Sequence, residues 1–213
     1  HADLVRVYKD RKTFSSDKKI EFYPKFGDSL LYQHHTTSLV FNDAPLHTRV
    51  RRAIAGALAP RAIAGMDVVV QQLVDRLIED LAARQQAGKP IDAVAHFAQN
   101  IPIEVIGNLL AIPRAEREPL RDWSLAILGA LEPEISQQQF DAGESAVRAF
   151  LAYLEALVAR RRAEDLAAAG DIMARLIRET FDAGEDANLL PHELLQNCIF
   201  ILNAGHETPT NLL

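Results

Sequence analysis

Apolar residues recur at helical spacing along most of this chain. The clearest run is Met66, Val69, Val70, Leu73, Leu77 and Leu81, at i, i+3, i+4, i+7, i+11 and i+15, one stripe of an amphipathic helix. Pro60 opens that helix, and Gly88 and Pro90 end it. Residues 44–58 predict another, with Asp43 as its cap and Pro45 in its first turn. A short helix is expected over Asp3–Lys9, then a turn from Arg11 to Asp17. A short apolar helix covers 100–111 and is closed by Pro113. Residues 114–130 and 137–162 predict two longer helices, and Asp171 caps another that runs to Phe181. The last helix begins near Pro191 and continues to Leu213. Residues 18–43 show no sustained period and read either as an irregular binding loop or as elements the pattern fails to reveal. Alternating β-branched runs are scarce, so the fold class is mostly α. No repeat or linker divides the chain, which reads as a single domain.

Composition narrows the function classes. The chain has 213 residues, 48% hydrophobic and 24% charged, enough for a sizeable core. Its formal net charge of -6 argues against nucleic acid as a partner of the whole surface. Cys198 is the only cysteine, so neither a disulfide framework nor a cysteine-rich zinc site can be built. There is no secretory or membrane-spanning stretch. The chain starts at His1 without a Met and stops inside an apolar, helix-forming segment, and it is expected to continue in a longer domain.

The sharpest local signal lies in the last helix. Its middle is apolar on most of its circumference, from Leu194 to Leu202, and is expected to be buried. The sequence then becomes Asn203, Ala204, Gly205, His206, Glu207, Thr208, Pro209. A carboxylate beside a hydroxyl, next to the two smallest residues, is unusual inside a buried helix. Pro209 lacks an N–H and presses on the carbonyl of Gly205, so the ladder is expected to open there, with the Thr208 hydroxyl filling part of the gap. The competing reading is that the helix stops, since Gly followed by Pro is the usual end signal. A zinc-protease reading fails because Thr210 stands where a second His is required.

A second signal is the pair His47 and Arg51, four apart on one helix face and able to grip a carboxylate or phosphate. A solvated basic surface is the alternative. The basic run from Arg49 to Arg61 also admits DNA contact, although Gly56 and Pro60 sit awkwardly for a recognition helix.

Three stretches in order resemble the cytochrome P450 family, bacterial soluble type. Residues 42–52, NDAPLHTRVRR, resemble the C-helix entry commonly written NDPPEHTRLRR. Residues 204–208, AGHET, resemble the oxygen-binding motif of the I helix, and residues 1–16, HADLVRVYKDRKTFSS, the B-helix region. The resemblance implies an incomplete P450 fold, the N-terminal portion from the B to the I helices. It implies heme b (iron-protoporphyrin IX) as cofactor and O2 as co-substrate, in a monooxygenase acting on a small organic substrate. It further implies a ferredoxin or reductase as electron donor, a cytoplasmic location, and no membrane or nucleic-acid partner.

Roles follow position by position. His47 and Arg51 match residues that bind a haem propionate. Ala204 and Gly205 match the place where the I helix passes the haem. Glu207 and Thr208 match the acid–alcohol pair that relays protons. His35, Thr37 and Val40 fall in the substrate-lining loop, and residues 114–130 and 137–162 match the mobile lid helices. Exposed Arg49 and Arg52 suit an acidic ferredoxin. Ala44, Leu46 and Pro209 depart from the family pattern, and the haem-ligating cysteine loop is expected beyond Leu213. Cys198 reads as a core residue, since an apolar setting raises a thiol pKa. Without its thiolate half the chain is expected to be inactive and aggregation-prone. The readings outside this family are an all-helical ligand-binding regulator and a helical scaffold without haem.

Overall fold

The computed structural model describes residues 1–59, 63–164, 166, 169, 171–182, 184 and 189–213. Among these described residues ten α-helices follow one another: α1 (Ala2–Lys9), α2 (Lys19–Phe26), α3 (Leu30–Thr37), α4 (Leu46–Ala57), α5 (Met66–Gln86), α6 (Asn100–Leu109), α7 (Leu120–Gly129), α8 (Gln137–Arg162), α9 (Ile172–Phe181) and α10 (Pro191–Leu212). No strand occurs among the described residues.

Helix ends follow local chemistry. Ser136 and Asp171 accept N–H bonds from Gln139 and Ala174, which starts α8 and α9. After α5, Gly88 at φ +66° turns the chain while Lys89 N–H returns to the Arg84 carbonyl. Pro60 and Arg61, expected at the start of that helix and the end of the basic run, lie outside the described residues.

The core is built around α10, which packs on α6, α7, α8, α9 and α3, while α7 lies against α8 and α4 against α9. Phe150, Leu154, Leu176, Ile177, Cys198 and Leu202 are among its buried side chains. Trp123 stacks near Phe150 and Tyr153, an ordinary packing role. Arg117 is buried and satisfied by the Ile112 carbonyl, the Glu104 carboxylate and the Asn108 amide oxygen, so it anchors the connection from α6 to α7.

Four expectations need correction. Residues 18–43 are not an irregular loop: they form α2, α3 and a 3₁₀ turn at Leu39–Phe41. Eight-residue helices make only two turns. The polar residues His34, His35 and Thr36 are buried on α3, so hydropathy shows no period there. The helix expected over 114–130 is broken, because Pro119 cannot donate and α7 begins only at Leu120, after a 3₁₀ turn at Arg114–Glu116. Asp43 does not cap α4; its carboxylate turns back to accept from the Ser15 hydroxyl at 2.6 Å and the Ser16 N–H at 3.0 Å. Of the long stripe on α5, only Leu73 and Leu77 are buried.

Candidate functional site: one face of the last helix

On a helix, residues three and four apart lie on one side, so a broad face gathers positions i, i+3, i+4, i+7 and onward. On α10 one such face carries Glu193, Gln196, Asn197, Phe200, Asn203, Ala204, Glu207 and Thr208. Its N-terminal part is a buried polar seam. Glu193, 2% exposed, receives a bidentate pair of 2.5 Å bonds from Arg49 of α4 and a 2.8 Å bond from the Leu190 N–H. Burial raises the Glu193 pKa, but the Arg49 and Leu190 donors outweigh it and hold the carboxyl below its ordinary value. Gln196 Oε1 accepts from His34 Nδ1 at 2.8 Å. Asn197 accepts the Leu39 N–H at 3.0 Å and donates to the Glu193 carbonyl at 2.8 Å. These bonds fix α3, the 3₁₀ turn and α4 against α10.

The expectation that Arg49 is a free docking charge is therefore corrected, since Glu193 holds it; Arg52 is exposed. The seam escaped the sequence reading because polar residues near a helix start normally read as solvated. The available signal was their spacing of three and four on a helix otherwise apolar.

Two adjacent hollows lie beside the C-terminal part of the same face. One, of about 960 Å³, is lined by His47, Thr48 and Arg51 of α4, by Phe14, and by Val40 and Phe200. The other, of about 160 Å³, is lined by His35, Val40, Phe200, Ala204, Glu207 and Thr208, among others. Val40 and Phe200 line both, so the two hollows are adjacent. His47 and Arg51 line the larger one, and Ala204, Glu207 and Thr208 the smaller.

Two sequence-predicted residues stand apart. Gly205 lines neither hollow. A Cβ there would lie 2.4 Å from Ile106 Cδ1, so the missing side chain lets α6 approach closely. Thr37 lines neither hollow, and its carbonyl accepts from Asn197 at 3.5 Å. The helix continues as α past Pro209, and the hydroxyl that returns to the backbone is that of Thr210, on the His206 carbonyl at 2.7 Å, not Thr208.

The larger hollow suits a partly apolar group that carries acidic substituents. Its lining includes aliphatic and aromatic side chains, and the imidazole of His47 and guanidinium of Arg51, with Arg11 and Lys12, supply donors for carboxylates, against one carboxylate, Asp43. A haem has that chemistry. Cys198 cannot serve it as a thiolate: it is fully buried in the core, and burial pushes its thiol up to about 12. Among the described residues no cluster of His, Cys, Asp and Glu could hold a metal ion, and no helix is long and apolar enough to cross a membrane.

No family model matches the chain. It is 28% identical over 204 residues to cytochrome P450 107B1 of Saccharopolyspora erythraea, which covers 96% of this chain and 44% of that protein. It is 31% identical over 172 residues to mycinamicin IV hydroxylase/epoxidase of Micromonospora griseorubida, covering 81% of this chain and 40% of the relative. The crystal structure of CalO2 matches with a TM-score of 0.83 at 25% identity, over 97% of this chain and 49% of that one. The chain therefore spans about half the length of the curated relatives it matches. Sequence and fold together show that the chain belongs to the cytochrome P450 family and corresponds to about half of a member's length.

Proposed function

We propose that this chain forms the distal wall and one propionate clamp of the haem pocket in a P450 monooxygenase, completed by the half of the family's length that it does not cover. The observation that supports this reading is the adjacency of the two hollows: His47 and Arg51 line one, Ala204, Glu207 and Thr208 line the other, and Val40 and Phe200 line both. The names of two relatives, mycinamicin IV hydroxylase/epoxidase and nocardicin C N-oxygenase, describe oxygen insertion into organic molecules.

When bound, heme b supplies dioxygen activation, with thiolate ligation favouring O–O cleavage. The chain's own residues do the rest. Arg51 and His47 orient the acidic edge by charge-assisted hydrogen bonds. The small side chain of Ala204 leaves room in the smaller hollow. Glu207, exposed on the same face, takes a proton from solvent at its carboxylate, and the Thr208 hydroxyl one residue on orients the water that carries it inward. Val40 and Phe200 add apolar surface beside these groups. The electron donor is a ferredoxin or reductase and the substrate a small organic molecule.

A DNA-binding regulator is the weaker reading, because Arg49, the first charge of the basic run, is held by Glu193. The test is Thr208→Ala in the full-length protein. Haem content should be retained while product formed per electron consumed falls several-fold. An unchanged yield per electron would overturn the role given to Thr208.

A further inference from the structure

We infer that Asp43 is a positioning residue for the anion-binding wall of the larger hollow: it fastens the turn that carries Arg11 and Lys12 to the start of α4, which carries His47 and Arg51. This rests on the monooxygenase reading, since the anion that the wall would hold is a haem propionate.

The turn from Asp10 to Ser16 has little burial to hold it in place. None of its residues is buried, and no residue of α1 before it is either. Its shape is local. The Asp10 carboxylate accepts the Lys12 and Thr13 N–H groups at 3.2 and 3.1 Å, and the Asp10 carbonyl accepts the Phe14 N–H at 3.0 Å. Among the described residues, the hydrogen bonds that this turn makes beyond residue 17 end on Asp43. One carboxylate oxygen accepts from the Ser15 hydroxyl at 2.6 Å, and the other from the Ser16 N–H at 3.0 Å. The Asp43 carbonyl accepts the His47 N–H at 3.0 Å. One residue thus joins the turn, by its side chain, to the first turn of α4, by its backbone. Both partners line the larger hollow, Arg11 and Lys12 from the turn and His47 and Arg51 from α4, and Asp43 lines it too.

The Ser15 hydroxyl, then the Ser16 N–H, hold the Asp43 carboxyl below its ordinary value against a small cost of burial, with His47 a lesser cause. The group is therefore ionised at neutral pH. A carboxylate on this wall repels an anionic ligand, so charge alone makes Asp43 unfavourable to binding. Its two charge-assisted hydrogen bonds give it the opposite effect, by keeping the basic side chains of the turn beside those of α4.

Charge and positioning predict opposite signs, which the full-length, haem-loaded protein can separate. Haem loss to excess apomyoglobin is followed by Soret absorbance. Asp43→Ala removes both ties and should speed haem loss by about fivefold, although it also removes the repulsion. Asp43→Asn should hold haem at least as tightly as the parent, because its amide oxygen can accept from Ser16 and its amide N–H can donate to the Ser15 hydroxyl oxygen. Ser15→Ala, a change at an exposed residue that leaves one tie and the carboxylate, should speed loss by about twofold, and this arm does not need Asp43→Ala to fold. Limited trypsin digestion reads the turn directly: cleavage after Arg11 and Lys12 should be about fivefold faster in Asp43→Ala than in Asp43→Asn, since it tracks the population of the open segment. Slower haem loss in both Asp43 variants, unchanged loss in Ser15→Ala, or equal cleavage rates would overturn the inference. A parent without haem sinks the monooxygenase reading and this inference with it, whereas haem held by Asp43→Ala as tightly as by the parent sinks only this one.

Discussion

The link between Arg49 and Glu193 decides how α4 meets α10, and its removal can be given a magnitude. Glu193 is 2% exposed and accepts three bonds, two from Arg49 at 2.5 Å and one from the Leu190 N–H at 2.8 Å. Arg49→Ala leaves a buried carboxylate with one donor. Breaking a buried pair costs about 3–5 kcal/mol. The Arg49 side chain keeps 31% exposure, so water can partly replace it and the low end applies, about 3 kcal/mol. Replacing both partners by apolar residues, Arg49→Met with Glu193→Leu, should recover most of that loss, to within about 1 kcal/mol of the parent, because no charge is left stranded. Arg49 makes further interactions, so single variants overstate the pair and a double-mutant cycle is needed. The assay is urea unfolding of the haem-loaded protein followed by far-UV circular dichroism. A coupling energy of about 2 kcal/mol is expected, with faster haem loss in Arg49→Ala because His47 and Arg51 ride on the same helix. A coupling below about 0.5 kcal/mol would refute the reasoning.

Two further predictions concern the buried histidines and the glycine on α10. Burial pushes His34 down to about 4 and His35 to about 2, so both are neutral in the fold, whereas an unfolded imidazole protonates near 6.5. The unfolded chain therefore binds more protons as pH falls through 6.5, and stability declines from there towards about 4 for His34 and about 2 for His35. Each should cost about 2 kcal/mol between roughly pH 7.5 and pH 5. His34→Gln should flatten that profile, and an unchanged slope would contradict the assignment. Gly205→Ala puts a Cβ 2.4 Å from Ile106 Cδ1 and should cost about 1–3 kcal/mol despite the better helix propensity of Ala. In an Ile106→Ala background the same change should be nearly neutral, which thermal unfolding of the four proteins checks.

Much of this fold could be read from the chain alone where elements are long. The span of α8 from Gln137 to Arg162, the Asp171 cap of α9 and the start of α10 at Pro191 all match expectation. Short elements were hidden, as in α2 and α3, because two turns cannot display a period and their buried positions include polar side chains. At the site, the spacing of His47 and Arg51 and the acid–hydroxyl pair at 207–208 were visible, since helical geometry fixes which residues share a face. Their partners were not. That Arg49 would meet Glu193, 144 residues away, depends on packing between helices, which local pattern does not encode. Gly205 shows a related limit: smallness signals a close approach, but which body approaches is a tertiary fact, and in this chain Ile106 does.

The central proposal is that His47 and Arg51 would clasp the acidic substituents of a haem, with Ala204 and Thr208 in the adjacent hollow. The most direct measurement is haem content per chain in the purified full-length protein, compared with His47→Ala, Arg51→Ala and the double variant. Stoichiometric haem in the parent, with affinity lowered about tenfold by Arg51→Ala and further in the double variant, is the predicted result. A parent without haem, or a double variant that holds haem as tightly as the parent, would contradict it.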